Sequence, residues 1–173
     1  EFVHTNDKSI IEQREVGTHT NNFKNALRAA LREDTDVVLV GELRDLETIE
    51  LALTAAETGH LVLATLHTSG AAKSIDRIVD VFPSSQQNQV RLQLADNLRA
   101  IVWQALLLRQ DGKGRIGALE VMFNEPAIAN LIRSSKSYQI PSAIETGGAL
   151  GMQTMKKAVT ILLEQGLISD EEA

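Results

Sequence analysis

Glu42 and His67 are the side chains of this sequence whose types and settings suit chemistry best. Each follows a short apolar run: Val37 to Val40 precede Gly41-Glu42, and Leu61 to Leu66 precede His67-Thr68. An acid after a run of buried aliphatics is the Walker B arrangement, in which a strand fixes a carboxylate that holds Mg²⁺ through water or orients an attacking water. An imidazole at an equivalent strand end could approach the same ligand. Two plainer readings stay open on the residues alone. Glu42 also reads as an ion-pair partner of Arg44 or a cap for the next helix, and His67 as a hydrogen-bonded histidine at a strand end.

The elements that must position this pair are legible around it. Val37 to Val40 is an uninterrupted apolar run bounded by charge, which predicts a strand buried on both faces of a parallel sheet. Asp45 is set to cap a helix whose apolar Ile49, Leu53 and Ala56 fall at i, i+4 and i+7, and Gly59 supplies a left-handed stop. Leu61 to Leu66 predicts the second strand. Strand, helix and strand make a right-handed βαβ unit, so both strands point the same way. In open parallel α/β sheets ligands bind beyond the carboxyl ends of the strands, with neighbouring strands about 4.8 Å apart. Glu42 and His67 both fall at that rim.

The run GELRDLETIELALTAAETGHLVLATLHT closely resembles the Walker B segment and histidine box of the PilT-type pilus retraction ATPases, within the secretion ATPase superfamily. EFVH and QREVG before it, and IDRIVDVFP and GALGMQT after it, extend the match over nearly the whole chain. The resemblance implies an α/β fold: a RecA-like P-loop NTPase core with a mainly parallel sheet, here residues 1–123, followed by a C-terminal helical region, residues 124–173. It implies ATP and Mg²⁺ as cofactors, with Glu42 on Mg²⁺ through water and His67 as a γ-phosphate sensor. Thr68 and Arg44 are expected beside the nucleotide. Glu1 matches an acidic residue that closes the family's aspartate box and is proposed to activate the attacking water; on sequence alone it is an ordinary glutamate. Arg14, Arg28, Arg32 and Arg44 are candidates for phosphate contact, and nothing in the sequence chooses among them. The implied context is a homo-oligomer, a hexamer, driving pilus retraction and twitching motility. It would be cytoplasmic, peripheral to the inner membrane at the pilus base, with an inner-membrane platform protein as partner.

Two features depart from the family pattern. The chain contains no G-x-x-x-x-G-K-[ST] phosphate loop, and its only Gly-Lys pair, Gly112-Lys113, is followed by glycine. The family carries that loop upstream of the segment matching Glu1, so this chain alone is expected to show no appreciable MgATP hydrolysis. The retraction signature Ala-Ile-Arg-Asn-Leu-Ile-Arg-Glu reads here Ala-Ile-Ala-Asn-Leu-Ile-Arg-Ser over Ala127 to Ser134. Ala129 and Ser134 thereby leave room for an alternative: a non-hydrolysing accessory paralogue that assembles with active subunits. The extension and type II relatives usually carry a four-cysteine zinc motif, whereas this chain has no cysteine.

Composition narrows the rest. A net charge of −6 and a pI near 5.2 give no basic footprint for nucleic acid. No apolar run reaches the length of a membrane span, which argues against direct membrane insertion. His4, His19, His60 and His67 lack zinc spacing, and His60 beside Gly59 reads as a helix cap. Toward the start, Glu1 to His4 and Ser9 to Val16 predict a strand pair, and Thr20 a helix cap over Phe23, Leu27, Ala30 and Leu31. After His67, Ser69 is set to cap a helix with Ile75, Ile78, Val79 and Phe82 on one stripe, stopped by Pro83. Ser84-Ser85 open a longer helix through Leu98 and Ile101, giving way near Trp103 to a hairpin about Asp111 to Gly114. Gly112, Gly114 and Gly117 match G-x-G-x-x-G literally, but they sit in that turn with no βαβ unit around them. Helices are predicted over Ala127 to Arg133, near Pro141 and over Met152 to Glu164, with Gly147 to Gly151 a loop. Ser169 to Glu172 reads as a capping box opening a further helix.

Overall fold

The computed structural model describes residues 3–173, in two compact units, the first reaching Thr65 and the second running from Leu66 to Ala173. In the first unit, helix α1 (Phe23–Ala30) is followed by strand β1 (Val37–Val40), helix α2 (Leu46–Glu57) and strand β2 (Leu61–Ala64). The predicted βαβ unit is present. β1 and β2 are parallel, with Val37 opposite Leu61 and Val40 opposite Ala64. Asp45 caps α2 as predicted: its carboxylate accepts from the Thr48 N–H at 2.9 Å and from the Thr48 hydroxyl. At the far end Gly59 takes a left-handed φ of 100°, and the His60 ring sits against the Ala55 carbonyl at 3.1 Å. That is the capping role expected of His60.

The burial of this unit corrects two expectations. Val38 and Val40 are buried with Leu27 of α1, packed by Leu43, Leu51 and Val62. Val37 and Leu39, on the opposite face, are 50% and 65% exposed. The β1–β2 pair is therefore covered on one side within its own unit, by α1 and α2, and alternates accordingly. The buried stripe of α2 is Ile49, Ala52 and Ala55, not Ile49, Leu53 and Ala56, because small side chains let the helix approach the sheet closely. Before α1, Ser9 to Val16 forms no strand. Side chains there take up backbone donors that a ladder would need, Asn6 Oδ1 accepting from Ile11 N–H and Gln13 Oε1 from His4 N–H. The cap of α1 is Asn22, whose Oδ1 accepts from Asn25 N–H at 2.8 Å. Thr20 instead donates its hydroxyl to the Asn22 carbonyl.

The second unit opens with α3 (Ala71–Asp80) and α4 (Ser84–Asn97), then an antiparallel hairpin of β3 (Ala100–Leu108) and β4 (Arg115–Phe123). Helices α5 (Pro126–Arg133), α6 (Ile140–Thr146) and α7 (Met155–Glu164) complete it. Its core holds the predicted α3 stripe, Ile75, Ile78, Val79 and Phe82, together with Met122, Ile128, Ile132, Ile140 and Ile144. α4 stops before Leu98, and Ile101 already belongs to β3; Asn124 fixes that break by donating its amide to the carbonyls of Ala95 and Leu98. Gly147–Leu150 forms a 3₁₀ turn where a loop was expected, and α7 starts at Met155 under a Thr154 cap. No helix follows Ser169. The Glu172 carboxylate accepts from Leu108 N–H on β3 instead of closing a capping box.

The β3–β4 turn is built by charge. Asp111 accepts a two-point hydrogen bond from Arg109 at 3.0 and 2.7 Å and a third from Lys113 N–H at 3.0 Å. These bonds, the guanidinium first, lower the Asp111 carboxyl to about 2. A folded value below the unfolded one makes the turn's contribution complete above about pH 4 and lost as pH falls through about 2. Asp111→Asn should remove that part of the acid dependence while changing stability at neutral pH only slightly, since the pair is solvent-screened. Urea melts at pH 2.5, 4 and 7 check it: an unchanged acid slope in the variant would contradict the assignment.

Candidate functional site

β1 ends at Val40, and only Gly41 to Arg44 separate it from the Asp45 cap of α2. This connection is fastened to the chain leaving β2. Leu43 N–H donates to the Thr65 carbonyl at 3.0 Å, and the Thr65 hydroxyl donates to the Gly41 carbonyl. Glu42 is thus pinned between two bonded neighbours at the carboxyl edge of the parallel pair. Its side chain is 22% exposed, and Oε2 accepts from Arg44 Nε at 2.5 Å. Of the plain readings, the Arg44 ion pair is real and the helix cap is not, since Asp45 holds that position. Arg44 itself is 74% exposed. A partly exposed carboxylate whose cationic neighbour is largely in solvent could exchange that neighbour for a hydrated cation.

In the second unit, His67 is exposed and Thr68 half-buried on the turn that leads into α3. The Thr68 and Ser74 hydroxyls are 2.6 Å apart, and the Ser74 hydroxyl donates to the Gly70 carbonyl at 3.0 Å. Ser74 has one proton, already given to Gly70, so Thr68 must donate to Ser74. The Thr68 oxygen keeps only acceptor capacity for any ligand. Lys73 Nζ donates to Ser69 Oγ at 3.0 Å. The turn is therefore stitched to the first two turns of α3. Gly70, with φ 118°, is the N-cap of that helix and brings no side chain; Glu120 of β4 supplies the acceptor, taking the Ala71 N–H at 2.8 Å.

The other predicted residues are scattered. Arg14 is engaged by Glu33 at 2.6 Å and Glu12 at 3.2 Å. Arg28 and Arg32 line a surface depression on α1 with Asn25, Ala29 and Glu33. Glu1 lies outside the described residues. Among the described residues no three His, Cys, Asp or Glu gather as a metal cage. Mg²⁺ does not require one, because it binds through one or two carboxylates, substrate phosphates and water. The single carboxylate of Glu42 fits that requirement. Thr65, Ser74 and Glu120 are the polar residues that sequence reading missed. Their roles arise from pairing across 24, 6 and 49 positions, and only the hairpin register could have brought Glu120 into view.

The chain matches the family model described as "Type II/IV secretion system protein" over residues 3–167. The chain belongs to that family. Two of its members among the relatives are the "Twitching motility protein" of Neisseria gonorrhoeae, 57% identical, and the "Type IV pilus retractation ATPase PilT" of Pseudomonas aeruginosa, 56% identical. Each aligns over 173 residues, all of this chain but 46% and 50% of the relative. A crystal structure of the pilus retraction motor PilT with bound ADP has a TM-score of 0.90 and 51% identity, covering 98% of this chain and 48% of that one. The chain therefore spans about half the length of the secretion-family relatives it matches. The PilT-type resemblance read from the Glu42 to His67 stretch is borne out, as is the RecA-like α/β class. Among the described residues no helix is long and apolar enough to cross a membrane.

Proposed function

We propose that this chain is the portion of a type IV pilus retraction ATPase that carries its Walker B acid and its histidine turn. The observation that carries the reading is Glu42 itself: a half-buried acid held by the Thr65 and Leu43 bonds immediately past the carboxyl end of a parallel strand buried on one face. Glu42 would hold Mg²⁺ through water, and Glu1 would be the base toward the attacking water. Thr68 and Arg44 would flank the nucleotide. When bound, MgATP supplies the phosphoryl group and the charge that the metal neutralises; the chain's own residues position and stabilise, with no covalent intermediate required. A phosphate loop from elsewhere in the intact protein completes the site, so the 173-residue chain alone is inactive on this reading. The working form is a homo-oligomer, a hexamer, on the cytoplasmic side of the inner membrane, engaged with the pilus platform protein.

His67 is assigned to sensing the γ-phosphate. Its test is His67→Ala in the intact protein, expected to slow ATP turnover about tenfold or more with ADP affinity within about twofold of the parent. Unaltered turnover would remove His67 from the mechanism. Ala129, with Ser134, gives the accessory-paralogue reading its support: the position of the signature arginine is here an alanine 6% exposed, packed in the α5 core face. Sequencing the parent gene upstream of Glu1 separates the two, an intact phosphate loop favouring the motor and a degenerate one the paralogue.

A further inference from the structure

The turn after His67 ends in a helix that lacks its own cap. An N-cap is ordinarily Ser, Thr, Asp or Asn, whose side chain satisfies an orphan N–H of the first turn. Gly70 cannot do this and makes no such bond. The missing acceptor arrives from the hairpin. Glu120 Oε1 lies 2.8 Å from the Ala71 N–H, and a Cβ built on Gly70 would stand 3.4 Å from that same oxygen. The carboxylate is thus laid directly over the cap residue, with its negative charge at the positive end of the helix.

Both ends of this contact are rigid. On the helix side Ala71, Ile75 and Val79 are fully buried. On the hairpin side Glu120 is paired with Trp103 across the ladder, and its neighbour Val121 exchanges backbone bonds with Gln153 at 2.8 and 2.9 Å. His67 and Thr68 stand three and two residues before Gly70, and the turn is tied to α3 by Thr68 on Ser74 and by Lys73 on Ser69. We propose that Glu120 is a positioning residue for the His67–Thr68 turn: by capping α3 from the hairpin, its carboxylate sets where that turn is held. This rests on the sensor role given to His67 above. Displacing a catalytic turn by about an ångström costs up to a hundredfold in rate without removing any reacting group.

The test uses the intact ATPase and four variants: Glu120→Ala, Glu120→Gln, Glu120→Asp and His67→Ala, with the Glu120→Ala/His67→Ala double. Folding is checked by thermal melts, turnover by phosphate release, and binding by ADP titration. Glu120→Ala should lower kcat about tenfold with ADP affinity within about twofold. Glu120→Gln keeps an oxygen that reaches Ala71 N–H and should restore kcat to within about twofold of the parent. Glu120→Asp, one methylene shorter, should fall between. In the double variant the Glu120→Ala penalty should vanish, because the turn it positions no longer carries the imidazole. Parental kcat in Glu120→Ala, or its full penalty persisting without His67, overturns the proposal while leaving the sensor reading intact. Parental turnover in His67→Ala alone would overturn both. Should Glu120→Ala fail to fold, Glu120→Gln turning over more slowly than Glu120→Asp is the overturning result.

Discussion

Glu42→Gln in the intact protein is expected to reduce kcat by about a hundredfold or more while nucleotide affinity stays within about threefold. The substitution is close to isosteric, and the amide oxygen can still accept from Arg44 Nε, so the bonds that shape the Gly41 to Asp45 connection have no reason to change. What is lost is the negative charge. A hydrated Mg²⁺ at that position would be held by charge more than by geometry, and phosphoryl transfer depends almost entirely on positioning and charge stabilisation. Nucleotide affinity, which comes mainly from phosphate contacts made elsewhere, should be spared. Single-turnover phosphate release with ADP titration on the same preparation checks both halves. Turnover within about fivefold of the parent would move the essential acid away from Glu42. Steady phosphate release from the 173-residue chain alone, abolished by Glu42→Gln, would instead contradict the expected inactivity of the chain by itself and place a complete site within these residues.

Thr65 and Arg44 explain why this acid is both fixed and available. The Thr65 hydroxyl on the Gly41 carbonyl ties down the backbone on one side of Glu42, and Leu43 N–H on the Thr65 carbonyl ties it down on the other. The side chain is 22% exposed and pairs with an arginine that is itself 74% exposed, a partner that an incoming cation can replace. Backbone rigidity with an exchangeable partner is what a preorganised metal ligand needs.

The sequence made β1, α2 and β2 readable because each signal was local: an apolar run, an Asp cap three residues before Thr48, a glycine stop. Reading failed where the partner was distant. Val37 to Val40 is apolar throughout, which predicts two covered faces, yet the residues themselves cannot say that only Val38 and Val40 meet Leu27. Ser169 to Glu172 has the letters of a capping box, but Glu172 found an edge N–H on β3, a competitor 64 positions away. The same distance effect hid Glu120. Around α1 the error was smaller: Thr20 and Asn22 are both good caps, and Asn22, immediately before Phe23, holds the position while Thr20 donates to its carbonyl. Glu42, Arg44 and His67 drew notice through their positions just past the two apolar runs, a local signal. The hydroxyl network through Ser74 did not, because a serine in mid-helix carries no mark of being buried.

Ile75→Ala should destabilise the second unit by about 2–5 kcal/mol, the range for emptying a fully buried branched aliphatic position. Ile75 is fully buried on the face of α3 that also carries Val79, and it lies one residue after Ser74, whose hydroxyl closes the Thr68–Gly70 network. A cavity here has little chance to collapse. The helix is fixed at its start by Glu120 and shortly after its end by Pro83, so it cannot slide inward to fill the space. Ile75→Val keeps most of the volume and should cost about 0.5–1.5 kcal/mol. Urea titrations of the intact protein, followed by protection of α3 amides from hydrogen exchange, measure both variants. The alanine variant should bring the Ala71 to Asp80 amides to lower opening energies than the valine variant, in the same order as the loss of stability. Equal protection in the two would mean that α3 opens without disturbing the core around Ile75. The helix would then not be the rigid support on which the histidine turn has been argued to stand.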